Sequence, residues 1–261
     1  MADGTSPVGL GIDIGGSGIK GAPVDLDTGE FTSDRLKILT PVPATPAAVA
    51  AVVAEIAAAF PGHAGPGCPV GVAFPGVVKH GVARSAAHVA PSWVGVDTER
   101  LLAEVTGQRV HVLNDADAAA VAEHRYGAAQ EAEGVVLMTT LGTGIGTALL
   151  VGGRLVPNTE LGHVEIDGHD AETRAASSIR KQEGLSYRDW AEGRLQRYYS
   201  VMEDLLSPDL IVVGGGVSRK ADRFLPHLRL RTPIVAARLR NTAGIAGAAI
   251  TAAERLGRDG G

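Results

Sequence analysis

Apolar and polar positions along this chain fall into runs that lay out its elements. Val8 to Ile14 (VGLGIDI) is a short apolar run entering Gly-Gly-Ser-Gly, and Ile19 to Leu26 then alternates until the Asp27-Thr28-Gly29 turn. A buried run followed by a period-two segment predicts an opening β-hairpin. Thr45-Pro46 ahead of AAVAAVVAEIAAAF predicts a capped, Ala-rich helix, with the proline tolerated in its first turn, that ends at Pro61-Gly62. Pro69 to Phe74 and Val110 to Leu113 read as short buried strands, and Asp115 to Tyr126 as a helix starting directly after the second. Gly134 to Thr140, the turn Leu-Gly-Thr-Gly at 141–144, and Ile145 to Val151 repeat the opening hairpin. Tyr187 to Leu206 is predicted helical, Asp209 to Val213 a strand running into Gly214, Gly215 and Gly216, and Thr242 to Leu256 a closing Ala-rich helix.

This order of strands and helices predicts an α/β fold. Gly16 to Ala22 (GSGIKGA) echoes Gly142 to Ala148 (GTGIGTA), each between two apolar strands. Turn chemistry alone can produce so short a match, but a true repeat predicts two lobes that each offer a glycine-rich hairpin to one central cleft. No linker or low-complexity tract separates the halves, so topology sets the boundary. The expected lobes are a small one of residues 1–113, completed by the terminal helix 243–261, and a large one of residues 114–242.

Composition narrows the class. With 261 residues, 45% hydrophobic and 20% charged, and a mean hydropathy of +0.12, disorder and coiled coil are disfavoured. The single cysteine, Cys68, excludes an intramolecular disulfide and a cysteine zinc cluster within one chain, and fits a reducing cytoplasm. The N-terminus has no basic, apolar leader pattern, and the longest Ala/Val-rich stretch, 47–60, contains Glu55, so neither export nor a membrane span is expected. Net charge is −5, yet from Arg219 to Arg240 seven Lys/Arg stand against one acid, Asp222. Such a basic stretch in an acidic chain suggests a local anionic partner rather than general nucleic-acid binding, a solvated charged face being the plain alternative.

Gly16 to Gly21 matches G-x-G-x-x-G in form, but a strand pattern rather than a helix follows it, so a dinucleotide fingerprint is disfavoured. The Walker pattern also fails, because Lys20 is followed by Gly21. A different phosphate-binding device remains: tight turns rich in Gly, Ser and Thr expose successive backbone N–H groups to an anion. Two such turns occur, with Ser17, Lys20, Thr140 and Thr143 as added donors and Asp13 placed to hold Mg²⁺ through water. Asn114-Asp115 falls where a strand passes into a helix. There Asp115 is either an N-cap or a general base that accepts a hydroxyl proton as the hydroxyl attacks a phosphoryl group, Asn114 orienting the same substrate. Glu160, His163, Glu165 and Glu172 suit hydroxyl recognition, while a metal site here would need remote ligands and a solvated acidic loop is the plain reading. The Gly214–Gly216 run suits close approach of a flat or anionic ligand, or is a flexible turn.

DIGGSGIK (13–20), AFPGVV (73–78), LNDADAAA (113–120), TTLGTGIG (139–146), ELGH (160–163) and VVGGGVSRKAD (212–222) together resemble, in order, the motifs of the ROK sugar kinases of the actin-like ATPase superfamily, over residues 8–250. That resemblance implies the two-lobed, ribonuclease H-like fold with a central cleft. PNTELGHVEIDGHDAETRAASS (157–178), GGGVSRKAD (214–222) and RTPIVAARLRNTAGIAGAA (231–249) resemble the actinobacterial subgroup that phosphorylates glucose at its 6-hydroxyl from inorganic polyphosphate and usually also ATP. By the same carry-over Asp115 is the base, and Asn114, Glu160, His163, Glu172 and Gly76 serve the sugar. Asp13 attends Mg²⁺, while Gly15, Gly16, Ser17, Gly18, Lys20, Thr140, Gly142, Thr143 and Gly144 serve the phosphates. Gly214, Gly215 and Gly216 then lie beside the donor, and Arg219, Lys220, Arg229 and Arg231 form a track for polyphosphate. The resemblance favours a homodimer.

Two departures from the family pattern stand out. Where ROK proteins carry a CxCGxxGCxE zinc cluster this chain reads IDGHDAETRAASS, so zinc is not carried over and packing must hold the loop. His88 stands where an asparagine that helps seat the sugar is expected, while Trp93 is retained. Other readings are an ATP-only glucokinase or mannokinase, a non-catalytic sugar-binding protein, and a transcriptional regulator. The last needs a helix-turn-helix before the first strand, where seven residues stand.

Overall fold

Aliphatic and glycine positions of the first strand go to opposite faces, and this decides how the N-terminal half packs. In β1 (Val8–Gly15), Leu10, Ile12 and Ile14 join Val49, Val53 and Ile56 of α1 (Pro46–Ala58) in one buried cluster. Gly9 and Gly11 face the other way, toward the C-terminal helix. The computed structural model describes residues 7–63, 68 and 70–258. Pro69, expected to open a strand, and residues 259–261 of the expected lobe-completing segment lie outside the described residues.

Contacts divide the chain into two units, Met1–Ala122 with Thr242–Gly261, and Glu123–Asn241. The first therefore reaches nine residues past the expected boundary at 113 and is the larger, because the opening turns of the helix that begins at Asp115 pack with it. Its sheet has the order β3-β2-β1-β4-β7, with β2 (Gly18–Asp25), β3 (Leu36–Ile38), β4 (Val70–Phe74) and β7 (Val110–Asn114). β2 and β3 are antiparallel additions, whereas β4 and β7 run parallel to β1. A small ribbon of β5 (Val78–Lys79) and β6 (Val82–Ala83) follows β4. The side chain of Thr45 caps α1, accepting from Ala48 N, as its position before Pro46 predicts. α2 (Thr98–Thr106), which the sequence reading omits, is capped by Asp97 and closed by Gly107 at φ 66°. α3 (Asp115–Tyr126) follows β7 without a loop.

In the second unit the sheet order is β10-β9-β8-β13-β14. β8 (Val135–Leu141), β9 (Ile145–Val151) and β10 (Arg154–Val156) form the antiparallel part, and β13 (Leu210–Gly214) and β14 (Ile234–Ala236) run parallel to β8. This is the strand order and polarity of the first sheet, and the two echoing hairpins occupy the same place in each. Between β10 and β13 lie the ribbon β11 (Glu165–Ile166) and β12 (His169–Asp170), then α4 (Glu172–Ala175), α5 (Ser177–Gln182), α6 (Tyr187–Trp190) and α7 (Gln196–Leu206). A π turn, Ala191–Leu195, joins the last two into the long helical run expected over 187–206. Trp190, Tyr198, Tyr199 and Phe224 fill this core.

The last described element is α8 (Ala243–Arg258), on the first unit. A Cβ at Gly11, Gly71 or Gly247 would collide with the carbonyl oxygen of Ile245, Ala248 or Ala118 respectively. Backbone therefore packs on backbone where α8 meets β1, β4 and α3. No described helix is long and apolar enough to cross a membrane.

Candidate active site

Asp115 is the first residue of α3 and its side chain is exposed. The cap of that helix is Asn114 instead: its Oδ1 accepts from Ala116 N at 2.8 Å and Asp117 N at 3.1 Å. Asp115 Oδ1 also accepts from Ala116 N, at 2.8 Å. With the cap supplied by its neighbour, the Asp115 carboxylate sits at the positive end of the helix, facing solvent, where its charge is favoured. Asn114 is 7% exposed, and its Nδ2 donates to Gly76 O at 3.2 Å. Gly76 in turn leaves no room for a Cβ against Ser85 O. Asn114 and Gly76 thus tie the end of β7 to the loop after β4, with Asp115 next in line.

The first glycine hairpin closes between Gly15 and Gly18, leaving Gly16 and Ser17 exposed at its tip. Asp13 and Lys20 face each other across the ladder, Nζ 3.3 Å from Oδ2, so each charge is balanced by the other. His88 backs this turn: its backbone is left-handed, at φ 61°, and a Cβ at Gly16 would lie 2.9 Å from its own Cβ. Asn and His both tolerate that conformation better than most residues, a backbone reason for the asparagine expected at 88.

The residues expected to serve the donor gather in the second unit. Thr140 pairs with Gly214 in the parallel β8–β13 register. Gly215, at φ 79°, would place a Cβ 2.5 Å from Leu141 O, so only glycine fits there. Nothing lies within 4 Å of a Cβ at Gly142 or Gly216. Arg219 and Lys220 are exposed on the helical turns beyond Gly216, and Arg229 is exposed farther on. Arg231 is already engaged by α7: its Nη2 donates to Asp204 Oδ1 at 2.7 Å, and Glu203 lies at 3.9 Å.

Glu160, His163 and Glu172 come together on one side of β9. Thr147 Oγ1 accepts from Leu161 N at 2.9 Å, and Gly162 sits where a Cβ would collide with Ile145 O. His163 Nδ1 lies 2.9 Å from Asp170 Oδ2. That hydrogen bond raises the His163 pKa; partial desolvation opposes it, and the charges of Glu172, Asp170 and Glu160 add to it. Partial desolvation raises the Glu160 pKa, with His163 opposing and Glu172 adding, although the side chain keeps an exposed face. Glu172 also reaches the β8–β9 turn, its Oε2 accepting from Ile145 N at 3.0 Å.

Asp170 is the residue the sequence reading missed. Its Oδ1 also accepts from Glu172 N at 3.1 Å, so one carboxylate holds two of the expected sugar residues. The signal was present in Asp167-Gly168, an Asp-Gly pair between short strands, with φ values of 54° and 77°. This β11–β12 hairpin brings Asp170 back beside His163, and Arg197 grips its tip through Asp167 at 2.8 and 2.7 Å. Hydrogen bonds and ion pairs occupy the stretch where the family pattern has cysteines. Among the described residues, His163, Asp170 and Glu172 each bring one ligand atom within 4.8 Å of the others, close enough to share a cation. The hydrogen bonds just described give the same spacing.

Comparison with known proteins fits this arrangement. A family model described as ROK family matches residues 9–180. A polyphosphate glucokinase of Mycobacterium tuberculosis is 53% identical over 243 residues, covering 93% of this chain and 90% of its own. Among solved structures, the inorganic polyphosphate/ATP-glucomannokinase of Arthrobacter sp. strain KM superposes with a TM-score of 0.90 at 53% identity, over 96% of this chain and 100% of that one. A ROK family glucokinase from Streptomyces griseus, in complex with glucose and AMPPNP, superposes with a TM-score of 0.79 at 24% identity, over 95% of this chain and 99% of that one. At that identity the likeness concerns the fold.

Proposed function

The chain belongs to the ROK family, whose members share the actin-like ATPase fold, and from that premise we propose that it phosphorylates glucose at the 6-hydroxyl from inorganic polyphosphate or ATP. The observation that carries this reading is the exposed Asp115 carboxylate at the start of α3, next to the buried Asn114 that caps the helix. A base must face its substrate, and a capping side chain turns inward. Asp115 accepts the proton of the 6-hydroxyl as that oxygen attacks the donor's terminal phosphorus, and the bond to the leaving phosphate breaks in line.

Glu160, His163 and Glu172 accept from or donate to the other sugar hydroxyls, while Asn114 and Gly76 hold the backbone beside the base. In the first unit the exposed turn with Ser17 and Lys20 serves phosphate, and in the second the turn amides with Thr140 and Thr143 do so, with Gly214 to Gly216 beside the donor. Asp13 suits Mg²⁺: it is a single hard-oxygen ligand at a strand end, partly exposed, fitting an ion that keeps its waters and arrives with phosphates. When bound, Mg²⁺ neutralises charge on the donor's phosphate oxygens. Arg219, Lys220 and Arg229 supply cations for a donor longer than ATP, whereas Arg231 would first have to leave Asp204. Glucose and ATP meet in the cytoplasm, where this reading places the protein.

The test is glucose 6-phosphate formation from purified polyphosphate and from ATP, scored by mass. Mannose belongs in the same assay, since the Arthrobacter neighbour is a glucomannokinase. Product from both donors is expected. Product from ATP alone would reduce the reading to an ATP-dependent kinase, and no product would leave a sugar-binding protein.

A further inference from the structure

The turn between β8 and β9 has its carbonyl groups tied back. Ser178, in the first turn of α5, donates its backbone N–H to Gly142 O at 3.0 Å and its hydroxyl to Thr143 O at 2.5 Å. Gly142 N donates across the turn to Gly144 O at 3.0 Å. Glu172 Oε2 takes the next amide, Ile145 N, at 3.0 Å, and fills the place of a Cβ at Gly144.

In a trans peptide the carbonyl and the following N–H point in opposite directions. Gly142 O and Thr143 N–H share one peptide plane, and Thr143 O and Gly144 N–H share the next. By holding both carbonyls from one side, Ser178 aims two successive N–H groups away from itself. Those of Thr143 and Gly144 donate to no group among the described residues. Two adjacent outward amides make an anion-binding concavity, and a carbonyl that swung into their place would repel the anion.

We propose that Ser178, with Glu172, is the positioning pair of the phosphoryl-donor turn. It fixes the Thr143 and Gly144 amides toward the donor's phosphates, so that the segment bearing a sugar-binding carboxylate also sets the donor site. This rests on the kinase reading and adds to it Ser178, to which neither composition nor motif gave a role, and a second task for Glu172. Asp170 extends the same link, since it holds Glu172 N and His163 together.

The test is Ser178→Ala beside Ser178→Thr, which keeps the hydroxyl. Losing one hydrogen bond that orients a peptide is expected to raise the KM for ATP and for polyphosphate about 5- to 10-fold. In that variant the glucose KM should stay within about twofold, kcat should fall less than the donor KM rises, and Ser178→Thr should restore most of the loss. ATP affinity, titrated calorimetrically without glucose, should weaken by the same factor. An unchanged donor KM and ATP affinity in Ser178→Ala overturns the assignment, as does an equal rise in glucose and donor KM, or a threonine variant as impaired as the alanine one. If the wild-type chain makes no glucose 6-phosphate from either donor, the kinase reading fails on its own, and the ATP titration still decides the role of Ser178.

Discussion

Asp115 shows how far single residues can be read. From the sequence it is either a cap or a base, because both tasks put a carboxylate at the strand-to-helix junction. The structure gives the cap to Asn114, which no spacing rule distinguishes from its neighbour. Asp170 is the converse case, a functional neighbour readable from Asp167-Gly168 once the hairpin is recognised. It predicts a pH effect. Because the hydrogen bond to Asp170, with the nearby charges of Glu172 and Glu160, raises the His163 pKa, Asp170→Asn should move the imidazole titration toward lower pH, measurable on its ring-proton resonance. The sign for stability follows from linkage. The His163–Asp170 pair contributes fully below the unfolded histidine value and loses its contribution as pH rises through the raised folded value. Wild type should therefore exceed Asp170→Asn in urea midpoint at pH 5 by more than at pH 8. An imidazole that titrates identically in both proteins would contradict the hydrogen bond.

At the scale of elements, patterns that depend on neighbours in sequence were legible and those that depend on distant partners were not. The strand of β1, the cap of α1 and the span of α3 follow from period, Thr45-Pro46 and the junction at Asn114. α2 escaped because its amphipathic face is short, although Asp97 and Gly107 bracket it with a cap and a left-handed stop. The π turn at 191–195 has no local signature in the sequence; just before it, Trp190 Nε1 donates to Ala175 O at 3.0 Å. Glycines divide by what surrounds them, and this can be tested. Gly247→Ala forces a Cβ into the Ala118 carbonyl and should cost about 3 kcal/mol or more in urea unfolding. Gly142→Ala meets nothing within 4 Å and should unfold like wild type while weakening donor use. Equal stability of these two variants would refute the packing of α8 described above.

For the whole molecule, the sequence echo between the two glycine hairpins marks a repeat of the whole sheet, since both units carry the same five-strand order. Four identities in seven positions could not establish that alone, because the repeat lies in topology rather than in side chains. The unit boundary was displaced for a related reason: α3 begins with the first unit's core, so a helix divides where a motif does not. Charge also acts at this scale. Exposed cations at Arg219, Lys220 and Arg229 in a chain of net charge −5 should make polyphosphate use fall as ionic strength rises. Charge reversal at Arg219 and Lys220 should raise the KM for polyphosphate more than that for ATP, and indifference to both changes would remove the basic track. The central claim is tested most directly by comparing wild type with Asp115→Asn, given glucose, Mg²⁺ and either ATP or purified polyphosphate. Wild type should make glucose 6-phosphate from both donors, and the variant's kcat should fall by about 10² to 10⁴ with substrate KM values little changed. A variant that turns over as fast as wild type would contradict the account.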